Sequence, residues 1–425
     1  MVNVSNLAAM RGENKLAQPS VCRFCRTSLV HSLCDLGMSP PSNRYLKAAQ
    51  LNAAEPFYPL HAYVCSDCKL VQLEQFHSPE EIFSDYAYFS SYSSSWLEHC
   101  KNYCAQMQRE YGIDRRSLVI EIASNDGYLL QNFVAAHIPV LGIEPAANVA
   151  KVAIDKGVPT RIEFFGTAAA KKLVVENKQA DLLLGNNVLA HVPDLNDFVA
   201  GLKILLKPTG VLTMEFPHLL QLMQHNQFDT IYHEHFCYFS LLAIERVFEH
   251  HGLSIFHAEE LPTHGGSLRI HACHSGKRPP QPSVAQIRAK EQLYGLEQIG
   301  TYGKFAEQVR ETKRKLLEFM ITAKRADKSI IGYGAAAKGN TLLNYCGVRG
   351  DFLDYVVDAN PHKQNLFLPG THIPIFPTDK ILQTRPDFIL ILPWNIKDEV
   401  MQQHSYVGNW GGKFVVPIPE VKVVG

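Results

Sequence analysis

Two clusters of reactive side chains stand out in this 425-residue chain. The first is a pair of short cysteine motifs, Cys22-Arg-Phe-Cys25 and Cys65-Ser-Asp-Cys68. Two thiolates three positions apart can close on one cation, and two such knuckles supply the tetrahedral sulfur shell that Zn2+ prefers. Sulfur then fills every position and leaves none for water, so the spacing predicts a structural zinc. The segment between the motifs is weakly hydrophobic, and a metal crosslink helps a module of about 60 residues with little core of its own. Four unrelated core cysteines are the alternative. Cys34, Cys100, Cys104, Cys237, Cys273 and Cys346 lack such pairing and read as core residues.

The second cluster is TIYHEHFCYFS at 230–240, where His233, Glu234 and His235 stand between tyrosines. It reads as a metal site, an acid–base site or aromatic core. The zinc motif HExxH separates its histidines by four positions, whereas these are two apart. They would face opposite sides of an extended segment, or lie about 200° apart on a helix. Joint ligation is therefore disfavoured, and His233 is expected to be structural or to support the site from behind.

What must position these groups is read from hydrophobic periodicity. From Ser117 onward, apolar runs (SLVIEIA, VLGIEP, ADLLLGNNV, GVLTMEF) alternate with amphipathic segments (YLLQNFVAAH, AANVAKVAIDKG, LNDFVAGLKILL). This alternation predicts an α/β domain with a doubly wound, mostly parallel sheet, whose ligands bind beyond the carboxyl ends of the strands. The turn after the first run holds Glu121, Ala123, Ser124, Asn125, Asp126 and Gly127. Glycine, asparagine and aspartate accept the left-handed backbone of a tight loop. Glu144, followed by Pro145, ends the second strand, where an acid can bind both hydroxyls of an adenosine ribose. The loop is not GxGxxG and shows no diphosphate cradle; with that acid it fits S-adenosylmethionine (SAM) better. An ordinary strand–helix turn is the alternative. Gly185, Asn186 and Asn187 are expected near the donor, and His191 where the next strand opens into the site; for His191 a core role is equally open.

Past a proline-rich linker at 276–283, a charged helical stretch leads to SIIGYGAAAKGNTLLNYCG and to the apolar runs DYVVDAN, DFILILPW and KFVVPIP, which suggest a second Rossmann-like sheet. The helical stretch is expected to break near Gly300 and Gly303. Small residues in the turn from Gly332 to Gly339 can bring backbone N–H groups to a phosphate, with Lys338 adding charge. A ligand-free Rossmann-like fold is the alternative. THGGSLRI at 263–270 reads either as a closing segment over a ligand or as a plain hairpin.

Composition narrows the class. Lys+Arg and Asp+Glu are 41 each, which argues against nucleic acid or an anionic membrane as partner and against a zinc-ribbon nucleic-acid methyltransferase. No apolar run approaches the roughly 20 residues that span a bilayer, and no signal peptide is evident. Clustered thiols then point to a reducing cytoplasm.

Taken together, the paired CxxC knuckles, YAYFSSYSSSWLEH, EIASNDGYLL, GIEPAANVA, GNNVLAHVPDLNDF and FDTIYHEHFCYFS resemble the nucleotide-sugar C-methyltransferases, from about Cys22 to the carboxyl terminus. The resemblance implies a zinc-binding module, a class I SAM-methyltransferase domain and a second Rossmann-like α/β domain that helps hold a TDP-4-keto-6-deoxyhexose. It implies His235 as the base that removes the C-3 proton, with Glu234 and Tyr232 orienting it, binding sugar or stabilising an enolate; methylation at C-5 of a related keto sugar is the alternative. His191 and Tyr86 match further site positions that contact sugar or relay protons, with Tyr92 as the reserve for Tyr86. Lys338 and Asn340 would face the diphosphate. The expected organisation is a tail (1–19), zinc module (20–82), helical aromatic bridge (83–112), SAM domain (113–277) and carboxy-terminal domain (278–425).

Overall fold

The computed structural model describes residues 20–79, 81, 90–92 and 94–425. The amino-terminal module supplies β1 (His31–Ser39), β2 (Tyr58–Val64) and β3 (Val71–Leu73). The middle of the chain supplies β4 (Val119–Ile122), β5 (Val140–Ile143), β6 (Thr160–Arg161), β7 (Ala180–Asn186) and β8 (Leu206–Pro217). Then come β9 (Cys237–Tyr238), β10 (Leu253–Leu261) and β11 (Ser267–His274). The last third supplies β12 (Ile330–Tyr333), β13 (Val356–Val357), β14 (Ile375–Phe376), β15 (Phe388–Ile391), β16 (Lys413–Val416) and β17 (Lys422–Val424).

These form three sheets, ordered β1-β2-β3-β9, β10-β11-β8-β7-β4-β5-β6 and β14-β13-β12-β15-β16-β17. In the second, β4 through β8 are parallel, and β11 runs antiparallel between β8 and β10. Helices cover both faces, so β4 and β5 are buried along their whole length and read as unbroken apolar runs. Glu121 is the exception within β4. The chain leaves β4 for β5 on one side and returns to β7 on the other, so the crevice between their carboxyl ends is the switch point where such sheets bind ligands.

The third sheet is parallel except for β17. The long helical stretch breaks at Lys304, directly after Gly303 as expected, and also earlier, at Gly295. A φ of +93° there caps the helix Pro282–Tyr294 in a left-handed turn, and Gly300 lies inside the short helix Ile299–Gly303. Val284 and Ile287 of Pro282–Tyr294 pack into the same core as β8 and β11. Glu291 of that helix accepts from the His218 ring at 2.7 Å and from the backbone N–H of Leu241 and Leu242.

The zinc module is not a separate bead. Cys22, Cys65 and Leu70 share a core with the second sheet, while Leu33, Leu36 and Leu60 share one with the carboxy-terminal helices. β9, which follows the histidine cluster directly, completes the module's sheet by pairing with β3. No helix among the described residues is long and apolar enough to cross a membrane.

Candidate active site

The two cysteine knuckles fold alike. In each, the first cysteine's N–H donates to the carbonyl five residues on (Thr27, Leu70), and its own carbonyl accepts from the residue four on (Arg26, Lys69). Arg26 and Lys69 are left-handed, with φ of 65° and 64°. These turns bring the four Sγ atoms within 4.8 Å of one another. Cys22–Cys68 and Cys25–Cys65 are 3.6 and 3.4 Å apart. Sulfurs bound tetrahedrally at about 2.3 Å from zinc lie roughly 3.8 Å apart, so the set fits Zn2+ with little adjustment. Gln72 donates to Cys22 Sγ at 3.2 Å, an outer contact of the kind that orients ligands. A second group of possible ligands, His257, Glu259 and His271, gathers on β10 and β11. There Arg269 and Tyr111 already partner Glu259 and His271.

At the switch point, the loop after β4 alternates into the left-handed region at Ala123, Asn125 and Gly127 (φ 57°, 49° and 75°). Gly127 is required twice over, because a Cβ there would also meet Val158 at 3.0 Å. Glu144 accepts from the N–H of Asn125 and of Ala146, each at 2.9 Å, and so fastens the loop to β5. Pro145 follows it, half-buried. Both Glu121 carboxylate oxygens, Ser124 Oγ, Asp126 Oδ1, Asn186 Nδ2 and Asn187 Oδ1 are buried without a hydrogen-bond partner of good geometry. Burial drives the Glu121 carboxyl well above the usual range, with the Tyr128 hydroxyl offsetting part of the shift. Each such group costs about 1–3 kcal/mol when left unmade, so their concentration at two neighbouring strand ends marks a place built for a polar ligand. Hydroxyls, an amino group and a carboxylate, the polar parts of SAM, suit this mixture of donors and acceptors.

Across the crevice lies the histidine cluster. His235 Nδ1 lies 3.0 Å from the Thr230 carbonyl, which can only accept, so the ring proton sits on Nδ1. The lone pair is on Nε2, and the Tyr232 hydroxyl donates to it at 2.8 Å. His191 is set the same way by the Glu234 carbonyl at 2.8 Å, and its ring meets that of His235 edge-on at 4.7 Å. The Asp194 side chain caps the helix Leu195–Leu205 at its Asp197 N–H, which fixes the turn after His191. Burial lowers His191 to about 4 and His235 well below the ordinary value, so both rings are neutral bases near pH 7. Glu234 points away from His235 toward the zinc module, where Asn43 Nδ2 donates to both its oxygens at 2.8 and 2.9 Å. Burial raises Glu234 to about 7. His233 turns to the Pro59 carbonyl at 3.2 Å, on the opposite side from His235. Tyr86 lies outside the described residues, as does the side chain of Tyr92.

The carboxy-terminal turn repeats the construction of the loop after β4. Asp358, at the end of β13, accepts from the N–H of Ala335 and of Asn360, each at 2.7 Å, as Glu144 does in the second sheet. The Ala335 amide is thus engaged internally. Lys338 donates to Asn395 at 2.7 Å and lies over the Trp394 ring at 4.7 Å. Asn340 is turned to the Ser42 carbonyl of the zinc module, with its own oxygen unpartnered. A cleft of about 650 Å³ opens beside this group, lined by Gln227, Gly265, Trp394 and Asn395.

Several residues here escape sequence reasoning. Asp229 is fully buried, accepts from Trp394 Nε1 at 2.7 Å and is raised to about 7 by burial, against the lowering influence of nearby Lys338. Glu215 in β8 is a hub: Arg269 and His99 reach Oε2 at 2.7 and 3.0 Å, and Thr263 reaches Oε1 at 2.8 Å. Burial opposes its charge, yet these partners hold it at about 2. The only sequence signal for either was an acid inside an apolar run. Glu215→Leu would leave Arg269 buried with half its compensation, and a loss of about 3–5 kcal/mol is expected. Urea melts check this; a loss under about 1 kcal/mol would deny the hub a structural role.

A seven-stranded sheet with one antiparallel insertion, and a ligand-shaped set of unmet polar groups at its switch point, define a SAM-dependent methyltransferase of class I. A methyltransferase-domain profile matches residues 94–258, one described as a candidate zinc binding domain matches 22–83, and one described as a C-methyltransferase C-terminal domain matches 262–419. The chain is 32% identical to the C-methyltransferase NovU of Streptomyces niveus over 404 residues, 95% of this chain and 96% of that protein. It belongs to this C-methyltransferase family. Among solved structures, magnesium protoporphyrin IX methyltransferase (ChlM) of Synechocystis with bound SAM is 15% identical, with 42% of this chain and 79% of that one covered and a TM-score of 0.33. A SAM-dependent methyltransferase of Clostridium acetobutylicum is 11% identical over 42% and 92% of the two chains, with a TM-score of 0.34.

Proposed function

We propose that this enzyme methylates a ring carbon beside the ketone of a TDP-linked 4-keto-6-deoxyhexose, at C-3. The observation that carries the reading is the His235–Tyr232 pair: a neutral imidazole with its lone pair on Nε2, next to a hydroxyl, in a buried site that meets His191 just beyond the end of β7. Bound SAM supplies an electrophilic methyl group on a sulfonium. Carbon becomes nucleophilic only after losing a proton, and a sugar C–H is acidic enough only when alpha to a carbonyl.

In this reading His235 Nε2 takes that proton, and the Thr230 carbonyl holds the ring as it gains charge. The electron pair left behind delocalises onto the ketone oxygen as an enolate and would then form the new carbon–carbon bond as the sulfur–methyl bond breaks, its electron pair returning to sulfur and S-adenosylhomocysteine leaving. Tyr232 shields Nε2 before substrate arrives and can donate to the oxygen where charge develops. His191, edge-on to His235, shares the wall that excludes water. Lys338 touches Asn395 and Trp394 in the wall of the open cleft, and Asn340 has an unpartnered oxygen two residues on, which supports assigning them to the nucleotide diphosphate. C-5 is the nearest alternative, since the same acidity exists on the other side of the carbonyl.

Incubating enzyme, keto-sugar nucleotide and S-adenosylhomocysteine (SAH) in D2O is expected to place deuterium beside the carbonyl, seen as a gain of one mass unit per sugar. NMR of the product formed with SAM then locates the methyl. Oxygen or nitrogen methylation of every keto-sugar offered would overturn the proposal.

A further inference from the structure

The connection between β10 and β11 carries a histidine with a left-handed backbone, as His137 and His372 also have. His264 has φ 55° and ψ 17°, left-handed within a single helical turn. Histidine tolerates this region at a small cost, and three contacts hold it there. Thr263 donates to Glu215, the Trp96 ring lies 5.2 Å from the His264 ring, and His264 Nε2 lies 3.0 Å from Asn187 Nδ2.

Asn187 belongs to the donor site. Its backbone is left-handed at φ 55°, and its N–H donates to the Glu215 carbonyl at 2.7 Å. The Asn187 amide nitrogen is a donor, so His264 Nε2 accepts and its ring proton sits on Nδ1. Burial, reinforced by Lys338, lowers His264 to about 4, which keeps that acceptor available near pH 7. With its nitrogen engaged, the Asn187 amide has one orientation, and its oxygen is buried without a partner. An orphaned amide oxygen in a pocket for a cationic ligand has an evident use.

We propose that His264 is a positioning residue for methyl transfer: it holds the Asn187 amide so that the oxygen faces the sulfonium of SAM. The inference rests on the donor assignment alone and is independent of the sugar and of the carbon methylated. A carbonyl dipole aimed at a positive sulfur favours the charged donor over its neutral product, and so assists release of SAH after transfer.

The test compares SAM, sinefungin (which carries an amine cation near the sulfonium position) and neutral SAH by titration calorimetry on the zinc-loaded full chain. Asparagine tolerates the left-handed backbone but reaches only as far as Nδ1, whereas glutamine extends its amide to the place of Nε2. His264→Asn is expected to weaken SAM and sinefungin about tenfold while SAH changes by less than about twofold. His264→Gln should restore the two cationic ligands to within about threefold of the parent. Equal loss of SAH, equal loss in both variants, or no loss in His264→Asn would each overturn the proposal. Thermal melts of the same samples report folding. Should His264→Asn melt early, Asn187→Gly, suited to the same backbone, deletes the oxygen directly and must show the same discrimination between SAM and SAH.

Discussion

Methyl transfer by His235→Ala is expected to fall about 10²–10⁴-fold, the range that a positioned general base contributes. SAH affinity should stay near that of the parent, because His235 touches Thr230, Tyr232 and His191 and makes no hydrogen bond to the donor loop. A structural role predicts something different. Deleting a buried ring would loosen Tyr232 and His191 together and lower the melting temperature, with affinity and rate declining in step. Single-turnover rates and calorimetry on the same sample separate the two. Tyr232→Phe adds a second discrimination: if the hydroxyl only shields Nε2 the rate changes little, whereas a donor to developing charge costs about 10²-fold or more when removed. Parent-like turnover by His235→Ala would end its assignment as the base.

The zinc knot should show the largest effect on folding. Cys22→Ser is expected to release about one zinc per chain and to leave most of the protein insoluble, since structural zinc contributes an apparent ~10–16 kcal/mol to small modules. The loss cannot stay local here. Cys22, Cys65 and Cys68 sit in the same apolar cluster as β7 and β8. Arg23, between the knuckle cysteines, donates to the Pro193 carbonyl at 2.9 Å, beside the turn that holds His191. β3, reached from the second knuckle, pairs with β9 immediately after His235. Metal content by mass spectrometry, paired with sedimentation of the variant, checks this. A metal-free chain that remained soluble and active would contradict a structural site.

Features set by short spacing were legible in the sequence. CxxC motifs carry their own turn, with the cysteine and the residues four and five positions on making both hydrogen bonds. The strand–loop–helix pattern from Val119 to Ala135 was readable because a strand buried on both faces must be apolar throughout. The separation of His233 from His235 was expected for a strand or a helix, and the structure delivers it through a turn at His233–Glu234, closed by the His235 N–H on the Tyr232 carbonyl.

The tertiary structure alone decided which groups meet. Asn43 and Glu234 are 191 positions apart, Trp394 and Asp229 are 165 apart, and Asn187 and His264 are 77 apart. No periodicity encodes such pairs, because each depends on where whole sheets come to rest against one another. Protonation followed the same rule: the residue type says that a side chain can titrate, but only its burial and neighbours set the direction. Thus Glu215 is held ionised near Arg269 and His99, while Glu234, supported by one asparagine, is pushed up to about 7. Chain chemistry determined what the site is made of, and long-range packing determined what each group can do there.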